Sequence, residues 1–182
     1  MPFSPTRAAI RFGTGLSPLI APPNAVTAML AALSGPDHAA AAHPIPAFPD
    51  ATPSVATFRD INRARRESRG TPREAQVEAE YQSVVAAARA TRQQGLAATL
   101  ARWTTTHDGL RERLVAFWAN HFTVRAKAGL FTHLITPFVE QAIRPHVTGR
   151  FADMLRAVTL HPMMLAYLDQ SQSMGPGSEA AT

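Results

Sequence analysis

The chain contains no cysteine. That excludes a disulfide framework, a thiolate metal site, a redox dithiol and a cysteine nucleophile together. It contains one lysine, Lys127; every other basic residue among its 18 is arginine. With abundant alanine, this usage matches the coding bias of a GC-rich genome. The net charge of +5 and pI of about 10.9 therefore say little about a polyanionic partner. No run approaches the roughly 18 consecutive apolar residues of a membrane span. The opening MPFSPTRAAIRFGTG is interrupted by Arg7 and Arg11 and has no continuous apolar stretch. No export signal is visible, and the cytoplasm is the expected compartment. Strand signals are missing too: nothing alternates with period two over strand length, and no hairpin turn stands out. There is no glycine-rich phosphate loop, no G-x-S-x-G, no H-E-x-x-H and no calcium loop.

What is present is helical pattern. A chain of 182 residues with 46% hydrophobic and 17% charged residues has the composition of one globular domain. Ser4 and Pro5 open a first helix that Gly13 and Gly15 end; a second begins at Asn24, with Val26, Met29, Leu30 and Leu33 on one face. Residues 37–53 are rich in alanine and proline without periodicity and read as an extended linker or surface loop. Its His38 and His43 carry no assigned role. Helical pattern returns at Ser54, with Phe58 and Ile61 inside and Arg59, Arg63, Arg65, Arg66, Arg69 and Arg73 around them. That arginine face reads either as an anion-binding stripe or as a solvated face paired with acids such as Asp60 and Glu67. Thr71, Pro72 and Glu74 form a capping-box start for the next helix, which Gly95 interrupts or bends.

The stretch from Leu110 to Asp169 organises the rest. Asp108 caps a helix whose Leu110, Leu114, Phe117, Trp118, His121 and Phe122 make one wide apolar stripe, with Arg111, Glu112 and Arg113 opposite. A helix over 131–146 is kinked or restarted at Pro137, with Phe138, Val139, Ala142 and Ile143 inside. A further one buries Phe151, Met154, Leu155 and Val158, and a last short one carries Met163, Leu165 and Leu168. The expected fold is all-α: an irregular, incomplete multi-helix bundle. Its parts are a helical pair at 1–36, the Ala/Pro-rich segment at 37–53, a helical core at 54–169 and a flexible tail at 170–182.

Polar residues inside these apolar helices are the candidate site: Asn120, His121, Arg144, His146, His161, Tyr167 and Asp169. His121, on the apolar stripe, is either a metal ligand or general base, or a core histidine bonded to a carbonyl or carboxylate. His161 precedes Pro162 at a helix junction, where it caps a neighbour or binds. Arg144 and Asp169 are expected to form a buried ion pair.

Three ordered blocks, FWANHFTV, AIRPHVTGRFADML and LHPMMLAYLD, with RAAIRFGTG upstream, resemble the bacterial "domain of unknown function 1800" family. The resemblance rests on Phe117, Trp118, Asn120, His121 and Phe122; on Ile143, Arg144, His146, Gly149 and Phe151; and on His161, Pro162, Met164, Leu165, Tyr167, Leu168 and Asp169. Met163 stands where the family has alanine. Family members are much longer and continue with N-E-N-x-A-R-E and L-E-L-H segments that this chain lacks. The resemblance thus implies an N-terminal fragment without activity of its own, whose residues 110–169 leave an apolar face uncovered. It also implies membership of a group of unestablished function, often exported and often encoded beside a sulfatase-like protein.

Three functions follow as expectations. The first is an interaction or assembly protein, partnered by the product of a neighbouring gene. The second is part of a metal-dependent hydrolase in which His121, His161 and Asp169 bind a divalent metal with residues beyond Thr182. The third is nucleic-acid binding through the arginines of 59–73, which would weaken steeply with salt.

Overall fold

Short polar side chains set where the helices begin. The Ser4 hydroxyl accepts from the Arg7 N–H to start α1 (Pro5–Phe12), and Ser54 accepts from Thr57 N–H to start α4 (Val55–Glu67). Asp108 accepts from Arg111 N–H to start α6 (Gly109–His121). Between these lie α2 (Val26–Ser34), α3 (His38–Ala42) and the long α5 (Glu74–Thr105). After α6 the chain runs through a 3₁₀ turn (Gly129–Leu134), α7 (Ile135–Phe138), a π-helical segment (Val139–Ile143) and a second 3₁₀ turn (Arg144–His146). It finishes in α8 (Phe151–Thr159) and α9 (Pro162–Tyr167). The computed structural model describes residues 2–125, 129–170 and 173–175. Among the described residues there is no strand, and no helix is long and apolar enough to cross a membrane.

The main core gathers Ala51, Val124, Leu134, Phe138, Ala142, Ile143, Met154, Val158, Met163 and Met164. A smaller cluster joins Phe58 and Ile61 of α4 to Val77 and Ala88 of α5, and Phe131 packs against both. Of the expected inner residues, Phe138, Ala142, Ile143, Met154, Val158 and Met163 are buried and Val139 is half-buried, whereas Phe151, Leu155, Leu165 and Leu168 are exposed.

Several expectations need correction. The segment 37–53 is not a linker. Asp37 caps α3 by accepting from Ala40 N–H at 2.9 Å, Phe48–Asp50 forms a 3₁₀ turn, and Ala51 and Pro53 are buried. A segment without periodicity can still pack when single residues, rather than a face, enter the core. Gly95 does not interrupt α5, which is unbroken over 32 residues, about 48 Å at 1.5 Å per residue. A Cβ at Gly95 would overlap the Thr136 hydroxyl and lie 3.2 Å from Thr136 Cβ. The glycine is there so that α5 and α7 can touch. The start of α5 also moves two residues on: Arg73 is its N-cap, and Glu74 accepts from Gly70 N–H at 2.8 Å rather than closing a box on Thr71.

The largest correction concerns α6. Its buried residues are Arg111, Glu112 and Val115; the first two belong to the face expected to be solvated, of which Arg113 alone is exposed. Phe117 is 56% exposed, His121 is exposed, and Trp118 and Phe122 are half-buried. The periodicity was real, but the rule that charges face water fails where the charges are paired inside.

Candidate functional site

Two features distinguish this molecule: a buried charge network and an exposed aromatic face.

The network sits where α5, α6 and the π-helical segment meet. Arg102 is 1% exposed and donates from Nη1 to Glu140 Oε1 at 2.6 Å and from Nε to the His43 carbonyl at 2.9 Å. Arg144 donates to both oxygens of Glu112 (2.5 and 3.2 Å) and both oxygens of Asp37 (2.6 and 2.9 Å). Arg111 is held by Asp108 at 2.8 Å and donates to the carbonyls of Leu33 and Gly35 at 2.5 and 2.9 Å. Arg113 does the same to Gly13 and Ile10 at 2.9 and 3.0 Å. Four arginines thus bind residues 10–43 to the helical core. A buried ion must be paired to be tolerated, and the three buried ones, Arg102, Arg111 and Arg144, each have a carboxylate partner.

Electrostatics follow the geometry. Burial alone would raise the Asp37 carboxyl, but the Arg144 guanidinium and the Ala40 N–H hold it below the usual carboxylate range. Burial likewise works against the charge on Arg144, and its bonds to Asp37 and Glu112 outweigh this and raise it. The Arg144–Asp169 pair expected from sequence is replaced by Asp37 and Glu112. Asp169 is exposed, with φ 56°, and follows the end of α9 in the left-handed conformation that often closes helices.

Beside the network lies a cavity of about 180 Å³. It is lined by Ile45, Thr99, Trp103, Val115, Ala116, Ala119, Thr136 and Val139, with Arg102, Arg144, Glu112 and Glu140 around it. The π-helical turn that supplies Glu140 and leads into Arg144 is a rare element that often marks functional sites.

His161 is 4% exposed. Its Nδ1 accepts from Met163 N–H at 3.1 Å, capping α9, so Nε2–H is left to donate to Gln141 Oε1 at 3.3 Å. Phe48 and Phe138 contact its ring edge to face at 4.7 and 4.9 Å. Burial lowers its pKa to about 4. His121, by contrast, is exposed at the end of α6 among Phe117, Trp118 and Phe122, so it is not a core histidine. Among the described residues no group of three or more His, Cys, Asp or Glu side chains is placed to hold a metal ion, and His121, His161 and Asp169 do not converge. Sequence reasoning passed over His133, which is buried and donates from Nε2 to the Pro53 carbonyl at 2.8 Å beside Phe58. It also passed over Arg102, Glu140 and Asp37. No local spacing marks them, because each finds its partner far along the chain.

Two of the three family-like blocks meet at the surface. Trp118 contacts Phe117 (4.9 Å between ring centroids), Phe122 (5.7 Å) and Phe151 of α8 (5.4 Å); Phe122 and Phe151 stack at 6.3 Å. Phe117 and Phe151 are more than half exposed, and Leu155 is 39% exposed beside them on α8. Asn120 is exposed, His146 and Tyr167 are half-buried, Gly149 lies in the turn before α8 and Pro162 opens α9. On the arginine face, Arg59 and Arg63 pair with Asp60 (3.3 and 3.8 Å), while Arg65 pairs with Glu78 of α5 (2.6 Å) and stacks on Tyr81. These three behave as a solvated face with acidic partners.

The chain is all-α and carries these three blocks in order. Residues 7–179 match the family described as "Protein of unknown function (DUF1800)", and the chain belongs to it. No curated protein and no solved structure matches the chain.

Proposed function

We propose that the chain is a helical docking module whose aromatic face binds another protein. One observation carries this reading: Phe117, Trp118, Phe122 and Phe151, from two different helices and the turn after one of them, form a contiguous ring cluster with Phe117 and Phe151 open to solvent. Monomeric proteins rarely leave large rings clustered and exposed without use, and aromatic side chains dominate the energetics of protein interfaces.

The border of the face indicates the partner's chemistry. Arg125, Arg150 and Arg156 are exposed near it in sequence, against a single exposed acid, Asp153. A partner helix with an apolar stripe and acidic flanks complements this. A second copy of the same basic surface does not. The arginine face of 59–73, the other candidate interface, has its charges in part satisfied internally and lacks aromatic anchors.

Site-specific photo-crosslinking tests the reading. A benzoylphenylalanine at position 117 should give a discrete protein adduct in the source cell. The same group at Leu19, 86% exposed and not part of the ring cluster, should not. An identical set of adducts from both positions, or none from 117, would refute it.

A further inference from the structure

The first 36 residues contain no acid, and Arg7 and Arg11 are their only charged side chains. The two stand four residues apart on α1, so both guanidiniums lie on one side of it. Both are exposed, and neither makes an ion pair among the described residues. The first acids along the fold's N-terminal contacts are already taken: Asp37 by Arg144, and Asp108 ahead of α6 by Arg111. Like charges at this spacing on a helix repel, and an anion held by both relieves the repulsion.

Beside these arginines runs a groove of about 440 Å³ between α1 and α2. Arg7 and Arg11 line it together with Phe3, Phe12, Val26, Met29, Leu30 and Leu110. Phe12, Val26 and Leu30 are each more than half exposed, so the groove is open to a guest. Apolar walls with a few charged groups that fix orientation are the usual make-up of a small-molecule site, and the volume lies in the range of about 300–1,000 Å³ typical of one. A docked helix is about 10–12 Å across with its side chains and would fill this volume with roughly one turn, too short to anchor it. An extended hydrocarbon chain is far thinner and lies along the groove.

We infer that this groove binds the acyl chain of a single fatty carboxylate, whose headgroup accepts from the Arg7 and Arg11 guanidiniums. The apolar walls bury methylenes, and the guanidinium fork matches the two oxygens of a carboxylate. Because both arginines are exposed, the headgroup keeps part of its hydration and avoids the cost of a buried ion. This inference does not rest on the aromatic face of α6 and α8, and neither stands or falls with the other.

The test is a titration of the isotope-labelled 182-residue chain with decanoate below its micellar concentration, followed by methyl NMR. Decanoate should shift the signals of Val26, Met29, Leu30 and Leu110. Octanoate, two methylenes shorter, should bind about tenfold more weakly. Decyltrimethylammonium, with the same chain and the opposite charge, should also bind about tenfold more weakly. Arg7→Gln with Arg11→Gln changes only exposed side chains, and should remove the preference for the anion with the rest of the spectrum kept. Leu30→Asp places a carboxylate in the groove and should abolish decanoate binding. Equal affinity for the decyl anion and cation would overturn the proposal, as would affinity independent of chain length or shifts centred elsewhere. Binding to phosphatidylglycerol vesicles without binding of free decanoate would overturn it too and assign the face to a bilayer. So would no binding of any probe.

Discussion

At the scale of single residues, Arg144 holds the most. It joins Glu112 of α6 to Asp37 ahead of α3, a partner 107 residues away in sequence. Removing it leaves two carboxylates in and near the interior without their cation. Arg144→Met is expected to cost about 3–5 kcal/mol in chemical denaturation, because breaking a buried pair costs far more than forming it contributes. His161 makes a different prediction. Its imidazole is harder to protonate in the folded chain, about 4 against an ordinary 6.5, so the unfolded chain takes up the proton first as pH falls. The contribution of His161 is therefore complete above about pH 6.5 and lost as pH falls toward 4, a change of about 3 kcal/mol. Protonation would also take the Nδ1 lone pair that caps α9. His161→Asn keeps an N-cap acceptor and removes the titration, so its unfolding free energy should be flatter across that window than the wild type's. Asp37 acts in the same direction, since its lowered carboxyl pKa also makes acid destabilising.

At the scale of elements, the α5–α7 crossing turns on one glycine. Alanine at Gly95 would gain about 1 kcal/mol of helix propensity, yet its Cβ meets Thr136. We expect Gly95→Ala to destabilise by about 1–3 kcal/mol in thermal unfolding, and Thr136→Ala in the same chain to recover part of that. How much of the fold the sequence displays is clearest at this scale. Ser4, Ser54 and Asp108 announce helix starts because capping is local chemistry. Phe138, Ala142, Ile143, Met154 and Val158 are legible as inner residues because apolar spacing is local too. The buried face of α6 is not legible. Arg111 and Glu112 look solvated until Leu33, Gly35 and Arg144 are brought to them by the fold. The same holds for Asp37 and Ala51, hidden in a segment whose composition reads as linker.

At the scale of the whole molecule, arginines from α5, α6 and the turn after the π-helical segment fasten the N-terminal segment to the core. Gly109 admits this contact, since a Cβ there would lie 3.0 Å from Gly13 Cα. Charges that would ordinarily coat the surface are used inside. Two rings, Phe117 of α6 and Phe151 of α8, stand open to solvent, while Trp118 and Phe122 behind them pack against the edge of the core. The family-like blocks were legible as motifs, but their placement was not, because an aromatic stripe has the same spacing whether it faces a core or a partner. Thermal unfolding of the Phe117→Ser, Phe151→Ser double variant, run with a hydrophobic dye, separates those cases most directly. A docking face predicts a stability within about 1 kcal/mol of wild type, a shift of no more than about 4 °C, together with loss of dye binding. A loss of roughly 3 kcal/mol or more per phenylalanine, as for rings buried in a core, would contradict the account.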